Sequence, residues 1–164
     1  MNCPDYNSPQ ALKKILDEKG FAMQKKFGQN FLCDEGIIDR IIEEAEIKPG
    51  DTVLEIGPGI GALTERLSAL DIHLICVEID KRLVSYLKRA YPDTCIIDFD
   101  FLKLKDYGAE NVDIVISNLP YYIMTDIMMK IFEEDIRCDS LIFMMQKEVA
   151  ERNCMRKKRR FSED

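Results

Sequence analysis

Two short segments of this sequence carry residue types that could do chemistry on a small ligand. The first is Gly57-Pro58-Gly59-Ile60-Gly61, in which three glycines alternate directly after an apolar stretch. Glycine lets the backbone turn sharply and approach a ligand where a Cβ atom would collide. The second is Asn118-Leu119-Pro120-Tyr121, which combines an amide, a rigid proline and an aromatic ring. The first segment is typical of a ligand-binding turn, and the second is suited to chemistry on an amine.

The glycine segment has three interpretations. Read as Gly57-x-Gly59-x-x-Ala62, with Glu78 about twenty residues later, it matches the dinucleotide fingerprint, in which the acid bonds a ribose hydroxyl. An S-adenosylmethionine site needs the same close backbone approach and the same ribose acid. The third interpretation is a tight connection between a strand and a helix, with no ligand. The loop alone does not choose between them.

The Asn118 segment separates the first two interpretations. An exocyclic amine is a poor nucleophile because its lone pair is delocalised into the ring, and two acceptors on its N–H groups favour the reactive pyramidal geometry. The Asn118 side-chain oxygen and the Leu119 carbonyl can supply those acceptors, while Pro120 fixes the backbone direction. Tyr121 can stack on the base. A base methyltransferase needs this combination and a dehydrogenase does not; without a ligand, the same residues would form a capped turn over the sheet.

Alternating strands and helices position these segments. Apolar, β-prone stretches predict five strands, which begin near Val53, His73, Thr94, Val112 and Ser140. Amphipathic stretches between them predict helices. Such alternation specifies right-handed crossovers and a parallel sheet that is covered on both faces. We therefore predict an α/β fold.

The helix boundaries follow from capping residues. Ser8 begins a short N-terminal helix that Gly20 ends, and Asp34 caps the helix before the first strand. Asp80 caps the helix after the second strand, and Thr125 caps the helix after the fourth. Each helix is expected to pack an apolar stripe against the sheet.

Polar groups follow the predicted strands at the carboxyl ends, where parallel sheets bind their ligands near a reversal of strand order. Glu78 closes the second strand, Asp98 and Asp100 follow the third, and Asn118 follows the fourth. Each acid alone could be a helix cap or a solvated loop residue. Their joint placement beside the Gly57 loop indicates a single site.

Length and composition describe a globular protein. The 164 residues are 46% hydrophobic and 32% charged, which suits one domain with a sizeable core. The apolar runs are too short to span a bilayer and the polar start is unlike a signal peptide, so we expect a cytoplasmic protein without membrane contact. Six cysteines without a C-x-x-C pair and a single histidine, His73, argue against a metal site and against histidine catalysis. Cys76 and Cys95 are expected to be reduced core residues.

The basic residues are clustered although the net charge is -7 at pH 7. A uniform negative charge would oppose nucleic-acid binding, because phosphate contacts require grouped Lys and Arg. Lys25 and Lys26 stand beside Phe27, and a second basic run spans residues 156–160. We predict RNA contacts at Lys25, Lys26 and Phe27; the alternative is a solvated connector anchored by its aromatic side chains.

Five motifs together resemble the bacterial small-subunit ribosomal RNA adenine dimethyltransferases. In chain order they are Lys26–Leu32, Val53–Thr64, Glu78–Asp80, Asn118–Ile123 and Gln146–Arg152. The resemblance runs from about residue 8 to residue 152. It implies a Rossmann-like class I methyltransferase that uses S-adenosylmethionine to place two methyl groups on the amino group of each of two adjacent adenosines. The implied partner is a precursor of the small ribosomal subunit, and we expect a monomer without a metal.

The resemblance also implies roles for individual residues. The residues expected at the cofactor are Asn30, Leu32, Gly57, Gly59, Glu78, Ile79, Asp100, Phe101 and Asn118. The first two would wrap the cofactor, the glycines would admit it, and Glu78 would bond its ribose. Asp100, with Asp98 as a rival, would read the adenine amino group. Asn118 would touch both the cofactor and the target base, together with Leu119.

One residue narrows the resemblance to the small-subunit enzymes, and one segment departs from the family. The related antibiotic-resistance ribosomal methyltransferases usually have isoleucine where Leu119 stands, and the leucine favours the small-subunit enzymes. Family members continue with further strands and a small helical domain, whereas residues 153–164 resemble nothing in the family. We therefore expect a segment 1–34 that contacts cofactor and RNA, a catalytic domain 35–152 and a basic tail 153–164, with the later strands missing. Three alternatives remain: an antibiotic-resistance-type methyltransferase of large-subunit ribosomal RNA, a non-catalytic fragment that binds RNA or cofactor, and an NAD-dependent oxidoreductase.

Overall fold

One five-stranded parallel sheet forms the centre of the protein. The computed structural model describes residues 35–106, 111–134, 136 and 138–144, without the side chain of Tyr121. The strands are β1 Thr52–Ile56, β2 His73–Glu78, β3 Cys95–Asp98, β4 Ile114–Ser117 and β5 Ser140–Phe143. Their order is β3-β2-β1-β4-β5, and all neighbours are parallel. The predicted α/β fold with a parallel sheet is confirmed.

Helices cover both faces of this sheet. They are α1 Glu35–Glu44, α2 Ala62–Leu67, α3 Lys81–Ala90 and α4 Tyr121–Glu133, with a short 3-10 helix at Phe101–Lys103. On one face, Ile38 of α1, Leu67 of α2 and Leu87 of α3 join one apolar cluster. On the other face, Ile127 and Ile131 of α4 join a second cluster. The sheet is therefore the middle of three layers, as a Rossmann-like fold requires.

The central strand β1 is buried on both sides. Val53 belongs to the cluster under α1 to α3, whereas Leu54 and Ile56 belong to the cluster under α4. Side chains alternate along a strand, so Glu55 points to the same face as Val53. There its Oε2 accepts a hydrogen bond of 2.7 Å from the Thr64 hydroxyl of α2. The ionisable side chain of Glu55 thus lies in the interior, near the glycine loop.

Of the helix caps predicted within the described residues, one is confirmed and one is wrong. Asp80 precedes α3 and accepts a hydrogen bond of 3.0 Å from the Arg82 N–H. Thr125 does not cap α4, because the helix begins at Tyr121 after Pro120 and Thr125 is exposed within it. Proline has no N–H and a φ that suits the start of a helix, so it begins this helix a full turn earlier.

The two cysteines predicted to lie in the core differ. Cys76 on β2 is fully buried, as predicted. Cys95 is exposed, and its prediction as a core residue is wrong. Cys95 opens β3, which is the outermost strand of the described sheet on that side. A terminal position on an outer strand has no neighbour that would cover it.

The strand order reverses between β1 and β4, and this brings the two predicted segments together. Ile56 and Ser117, the last residues of the two strands, are aligned in register. The Ser117 hydroxyl donates a hydrogen bond of 3.0 Å to the Ile56 carbonyl. Gly57 and Asn118 therefore follow directly after the ends of two adjacent strands that are joined by a hydrogen bond.

Substitution of Gly61 tests the packing of the glycine loop. Gly61 has a φ of +89°, and a Cβ atom there would lie 2.9 Å from Cε2 of Tyr91. Gly50 is a matched control, since it has a φ of +88° but nothing within 4 Å of such an atom. We expect Gly50→Ala to lower the free energy of unfolding by about 1 kcal/mol and Gly61→Ala by about 2 kcal/mol. Urea unfolding measures both; equal losses would contradict the packing argument.

Candidate functional site

A cavity opens at the carboxyl ends of β1 to β4, where the strand order reverses. This is where open α/β sheets bind ligands. Its wall contains the predicted residues Gly57, Gly59, Glu78, Ile79, Asp100, Phe101, Asn118, Leu119 and Pro120. The fold thus brings residues from four separate loops to one cavity, although they lie far apart in the sequence. Their individual roles remain predictions.

Several predicted residues cannot be placed. Asn30, Leu32, Lys25, Lys26 and Phe27 lie outside the described residues, as do the N-terminal helix, the motif 146–152 and the tail 153–164. The backbone of Tyr121 begins α4, but its side chain is not among those described. The proposed division into segments 1–34, 35–152 and 153–164 stays a prediction.

The backbone N–H groups of the glycine loop are occupied by protein acceptors. The φ angles of Gly57, Gly59 and Gly61 are +71°, +62° and +89°, which L side chains rarely adopt. The N–H of Gly57 donates to Val77 O at 2.9 Å, and that of Gly61 donates to Pro58 O at 3.0 Å. The N–H of Gly59 donates to Glu78 Oε2 at 3.1 Å. A pyrophosphate would compete for these donors, so the geometry favours a ligand without phosphate groups.

Glu78 is held rigidly at the end of β2. Its Oε1 accepts hydrogen bonds of 2.9 Å from the N–H groups of both Ile79 and Asp80, while Oε2 takes that of Gly59. The residue is only 6% exposed. Burial raises the pKa of this carboxyl above its ordinary value, and the backbone hydrogen bonds oppose that shift. Oε2 keeps a lone pair for a hydroxyl donor, because a carboxylate oxygen can accept two hydrogen bonds.

Asn118 and Leu119 lie beside the glycine loop in the wall of the cavity. Both residues are half-buried in its wall. Neither the Asn118 amide nor the Leu119 carbonyl makes a hydrogen bond with any residue that the structure describes. The Leu119 side chain lies against Gly57, since a Cβ atom on this glycine would be 2.5 Å from Leu119 Cδ2. The two segments that the sequence singled out are therefore in direct contact.

Asp100 lies on the wall of the cavity, whereas its rival Asp98 does not. Asp98 is exposed at the end of β3. Asp100 precedes the 3-10 helix, and its Oδ1 accepts a hydrogen bond of 3.1 Å from the Leu102 N–H. Its Oδ2 also lies 3.3 Å from the Lys103 ammonium. The cap interpretation of Asp100 is correct, and the same residue lines the cavity.

Glu55 is a wall residue that the sequence analysis missed. It is 2% exposed and accepts hydrogen bonds from Thr64 and, at 3.5 Å, from the Cys76 thiol. Burial raises the pKa of Glu55 to about 7, and the neighbouring Glu78 adds to the rise, although the two hydrogen bonds lower it. An acid inside a stretch of five apolar or β-prone residues was the available signal, because a strand buried on both faces cannot expose it.

Exposed aromatic side chains at the rim of the cavity were also missed. Phe99 and Tyr122 line the cavity, yet they are 46% and 53% exposed. The signal for Phe99 was its place between Asp98 and Asp100, directly after a strand. Flat apolar surface at the mouth of a polar cavity suits a planar, partly apolar ligand such as a nucleobase.

The chemistry of the described site rests on hydrogen-bond acceptors. Within residues 35–106 and the other described stretches, no three His, Cys, Asp or Glu side chains form a group that could hold a metal ion. No helix in the same part of the chain is long and apolar enough to cross a membrane. Carboxylate, amide and carbonyl oxygens around an apolar cavity can bind ribose hydroxyls and amino groups.

Comparison with known proteins gives one consistent result. Residues 20–162 match the ribosomal RNA adenine dimethylase family. The chain is 42% identical over 156 residues to ribosomal RNA small subunit methyltransferase A of Alkaliphilus oremlandii, covering 89% of this chain and 54% of that protein. It is 44% identical over 162 residues to the Streptococcus gordonii protein of the same name, covering 93% and 55%. The chain thus spans about half the length of the curated relatives it matches.

Solved structures agree with the fold. The 23S rRNA methyltransferase ErmE is 31% identical, with a TM-score of 0.64 over 74% of this chain and 50% of that one. A dimethyladenosine transferase from Plasmodium falciparum is 32% identical, with a TM-score of 0.63 over 75% of this chain and 45% of that one. The predicted Rossmann-like methyltransferase fold is confirmed.

Proposed function

The chain belongs to the ribosomal RNA adenine dimethylase family, and from this we propose that it transfers methyl groups from S-adenosylmethionine to adenosine amino groups of small-subunit ribosomal RNA. The observation that carries the proposal is that Asn118 and Leu119 line a cavity against the glycine loop and that their acceptors have no hydrogen-bond partner among the described residues. A target amine bound there would meet two oxygens that accept its N–H groups. Its lone pair would then be directed away from the ring and toward the neighbouring ligand.

The cofactor assignment is supported by the glycine loop. Its N–H groups donate to Val77, Glu78 and Pro58, and the Glu78 carboxylate lies against the loop. Both features disfavour the phosphates of NAD, whereas a cationic sulfonium compound gains from nearby carboxylates. We assign Gly57, Gly59, Glu78, Ile79, Asp100, Phe101 and Asn118 to this cofactor, with Glu78 on the ribose and Asp100 on the adenine. The cofactor supplies an electrophilic methyl group.

The target side of the site is assigned to the Asn118 segment. Asn118 and Leu119 accept from the amine, Pro120 fixes their direction at the start of α4, and we place the Tyr121 ring on the base. Asn30 and Leu32 remain proposed cofactor contacts, and the following basic segment is proposed to bind RNA through Lys25, Lys26 and Phe27. This proposal makes the protein a monomer that acts on a small-subunit precursor in the cytoplasm.

Two measurements test the proposal. Calorimetry with S-adenosylhomocysteine and with NAD should show binding of the first only; the reverse result would indicate an oxidoreductase. Single-turnover transfer of labelled methyl groups should modify unmethylated small ribosomal subunits rather than large ones. Labelling of large-subunit RNA would instead support the antibiotic-resistance type of activity. Binding of S-adenosylhomocysteine without transfer to either subunit would leave a binding role only.

Substitution of Glu78 tests the ribose assignment. Glu78→Gln is expected to weaken S-adenosylhomocysteine binding by about 1–3 kcal/mol, because a hydrogen bond to a charged acceptor is lost. The wild type should bind a deoxyribose analogue less tightly than S-adenosylhomocysteine. Glu78→Gln should bind the two ligands with nearly equal affinity. Asp80→Asn is the control, since Asp80 caps α3 and is not part of the cavity wall. If the missing hydroxyl weakened binding equally in the wild type and in Glu78→Gln, the assignment would be contradicted.

A further inference from the structure

We propose that Lys130 is a positioning residue that holds two walls of the cavity at a fixed separation. One wall is the segment after β3, which carries Asp100, Phe101 and Leu102. The other is α4, on which Lys130 lies and which follows Asn118 directly. The inference rests on the proposed function, because it assigns the first wall to the cofactor and the second to the target base.

The Lys130 ammonium is buried and has two hydrogen-bond acceptors and an aromatic ring around it. The side chain is 7% exposed although it carries a charge. Nζ donates to the Leu104 carbonyl at 2.6 Å and to Glu134 Oε2 at 2.7 Å. It also lies 5.7 Å from the centre of the Phe101 ring, within the range of a cation–π contact. Two of the three donors of the ammonium are thus accepted by oxygen atoms, and the aromatic ring adds a favourable contact for the charge.

These contacts join two elements that are far apart in sequence. Phe101 begins the 3-10 helix and Leu104 follows it, while Lys130 belongs to α4 and Glu134 follows its last residue. Phe101 both lines the cavity and lies near the ammonium. A change at Nζ is therefore transmitted to the cavity through one ring and one backbone carbonyl.

Cohesion between the two elements does not require a lysine. Ile127 and Ile131 of α4 already share an apolar cluster with Phe101 and Leu104. A buried charge is costly to desolvate, and apolar residues of similar volume often stabilise a core equally well. The ammonium adds a directional interaction: its hydrogen bond to the Leu104 carbonyl fixes how the segment after β3 is oriented against α4. We infer that this orientation sets the distance between Asp100 and Asn118.

Four variants test the inference. Lys130→Met keeps the length and apolar stem but removes the donors, and Lys130→Arg keeps charge and donors. Glu134→Gln removes only the partly exposed charge at the outer end of the contact. Ile38→Ala is a stability control, since Ile38 is buried in the cluster on the opposite face of the sheet. Thermal unfolding of each variant identifies a temperature at which all are folded.

Calorimetry and amide hydrogen exchange at that temperature test the inference. Calorimetry should show S-adenosylhomocysteine binding weakened about tenfold in Lys130→Met, about threefold or less in Lys130→Arg, and unchanged in Glu134→Gln and Ile38→Ala. Without any ligand, amide hydrogen exchange at Lys103 and Leu104, whose N–H groups donate to Asp100 O, should accelerate about tenfold in Lys130→Met only.

The outcomes separate this inference from the proposed function. Unchanged exchange at Lys103 and Leu104 in Lys130→Met would overturn the positioning role, whether or not the wild type binds the cofactor. Equal weakening of binding in Ile38→Ala and Lys130→Met would also overturn it, because general loss of stability would then explain both. In a further outcome, the wild type binds no S-adenosylhomocysteine while exchange is still faster in Lys130→Met. That result would refute the proposed cofactor but support the role of Lys130 in holding the segment after β3.

Discussion

Asn118→Ala is expected to abolish methyl transfer, by about a thousandfold or more, while cofactor affinity stays within about tenfold of the wild type. The reason is that the Asn118 amide would act on the target amine, whose lone pair becomes available only when its N–H groups are accepted. Cofactor binding depends on more groups, including Glu78 and Asp100. The loss should therefore appear in the rate at saturating cofactor and not in its dissociation constant.

The structure makes this variant interpretable. The Asn118 side chain makes no hydrogen bond with the described residues, so its removal leaves none of their buried polar groups unpaired. Ser117, its neighbour, is the contrasting case, because its buried hydroxyl donates to Ile56 O. Ser117→Ala is expected to lower stability by about 1 kcal/mol and to retain transfer. Thermal unfolding distinguishes the two effects.

A second control separates the acceptor from the rest of the side chain. Asn118→Asp keeps an oxygen in the same place and should retain measurable transfer, whereas Asn118→Ala should not. Single-turnover transfer to unmethylated small subunits and calorimetry with S-adenosylhomocysteine provide the two quantities. Undiminished turnover in Asn118→Ala would refute the assignment of the amide to the target amine.

The sequence predicted the fold and the position of the cavity for one physical reason. Strands buried on both faces read as continuous apolar runs, and such runs are recognisable without knowing what covers them. Once the strands were located, their carboxyl ends followed, and parallel strands place those ends at one edge. Gly57, Glu78, Asp100 and Asn118 were found in this way, and they line one cavity.

What the sequence did not predict depends on contacts between distant residues. The residue type of Thr125 predicts a helix cap, but α4 begins earlier, after Pro120. Cys95 was placed in the core, but β3 is the outermost described strand on its side. Lys130 reads as an ordinary surface cation of a helix, and only the fold shows that Leu104 and Phe101 enclose it. Predicting these three features requires knowledge of which residues pack around each side chain in the folded protein.

Glu55 leads to the largest expected effect on stability. Burial raises its pKa from 4.5 to about 7, so the folded protein holds a proton on Glu55 that the unfolded chain releases near pH 4.5. At about 1.4 kcal/mol per pKa unit, the difference corresponds to about 3 kcal/mol. In the folded state this proton belongs on the oxygen that does not accept from Thr64 and Cys76.

The sign of the pH dependence follows from proton counts. Below about pH 4.5 both states are protonated at Glu55, and its contribution is fully present. Between pH 4.5 and about 7 the folded state binds more protons than the unfolded state, so raising the pH removes stability. Above about pH 7 the folded protein must bury an ionised carboxylate. Stability attributable to Glu55 is therefore lost as pH rises through this interval.

Glu55→Gln isolates this contribution from those of other acids. The variant keeps an oxygen that can accept from Thr64 but does not titrate, so it should match the wild type near pH 4.5 and exceed it by about 3 kcal/mol at pH 8. Thr64→Val should move the upper end of the interval to higher pH, because the Thr64 hydrogen bond lowers the pKa of Glu55. Urea unfolding at a series of pH values measures all three proteins. A constant difference between wild type and Glu55→Gln from pH 4.5 to 8 would show that Glu55 is ionised throughout, which its complete burial makes unfavourable.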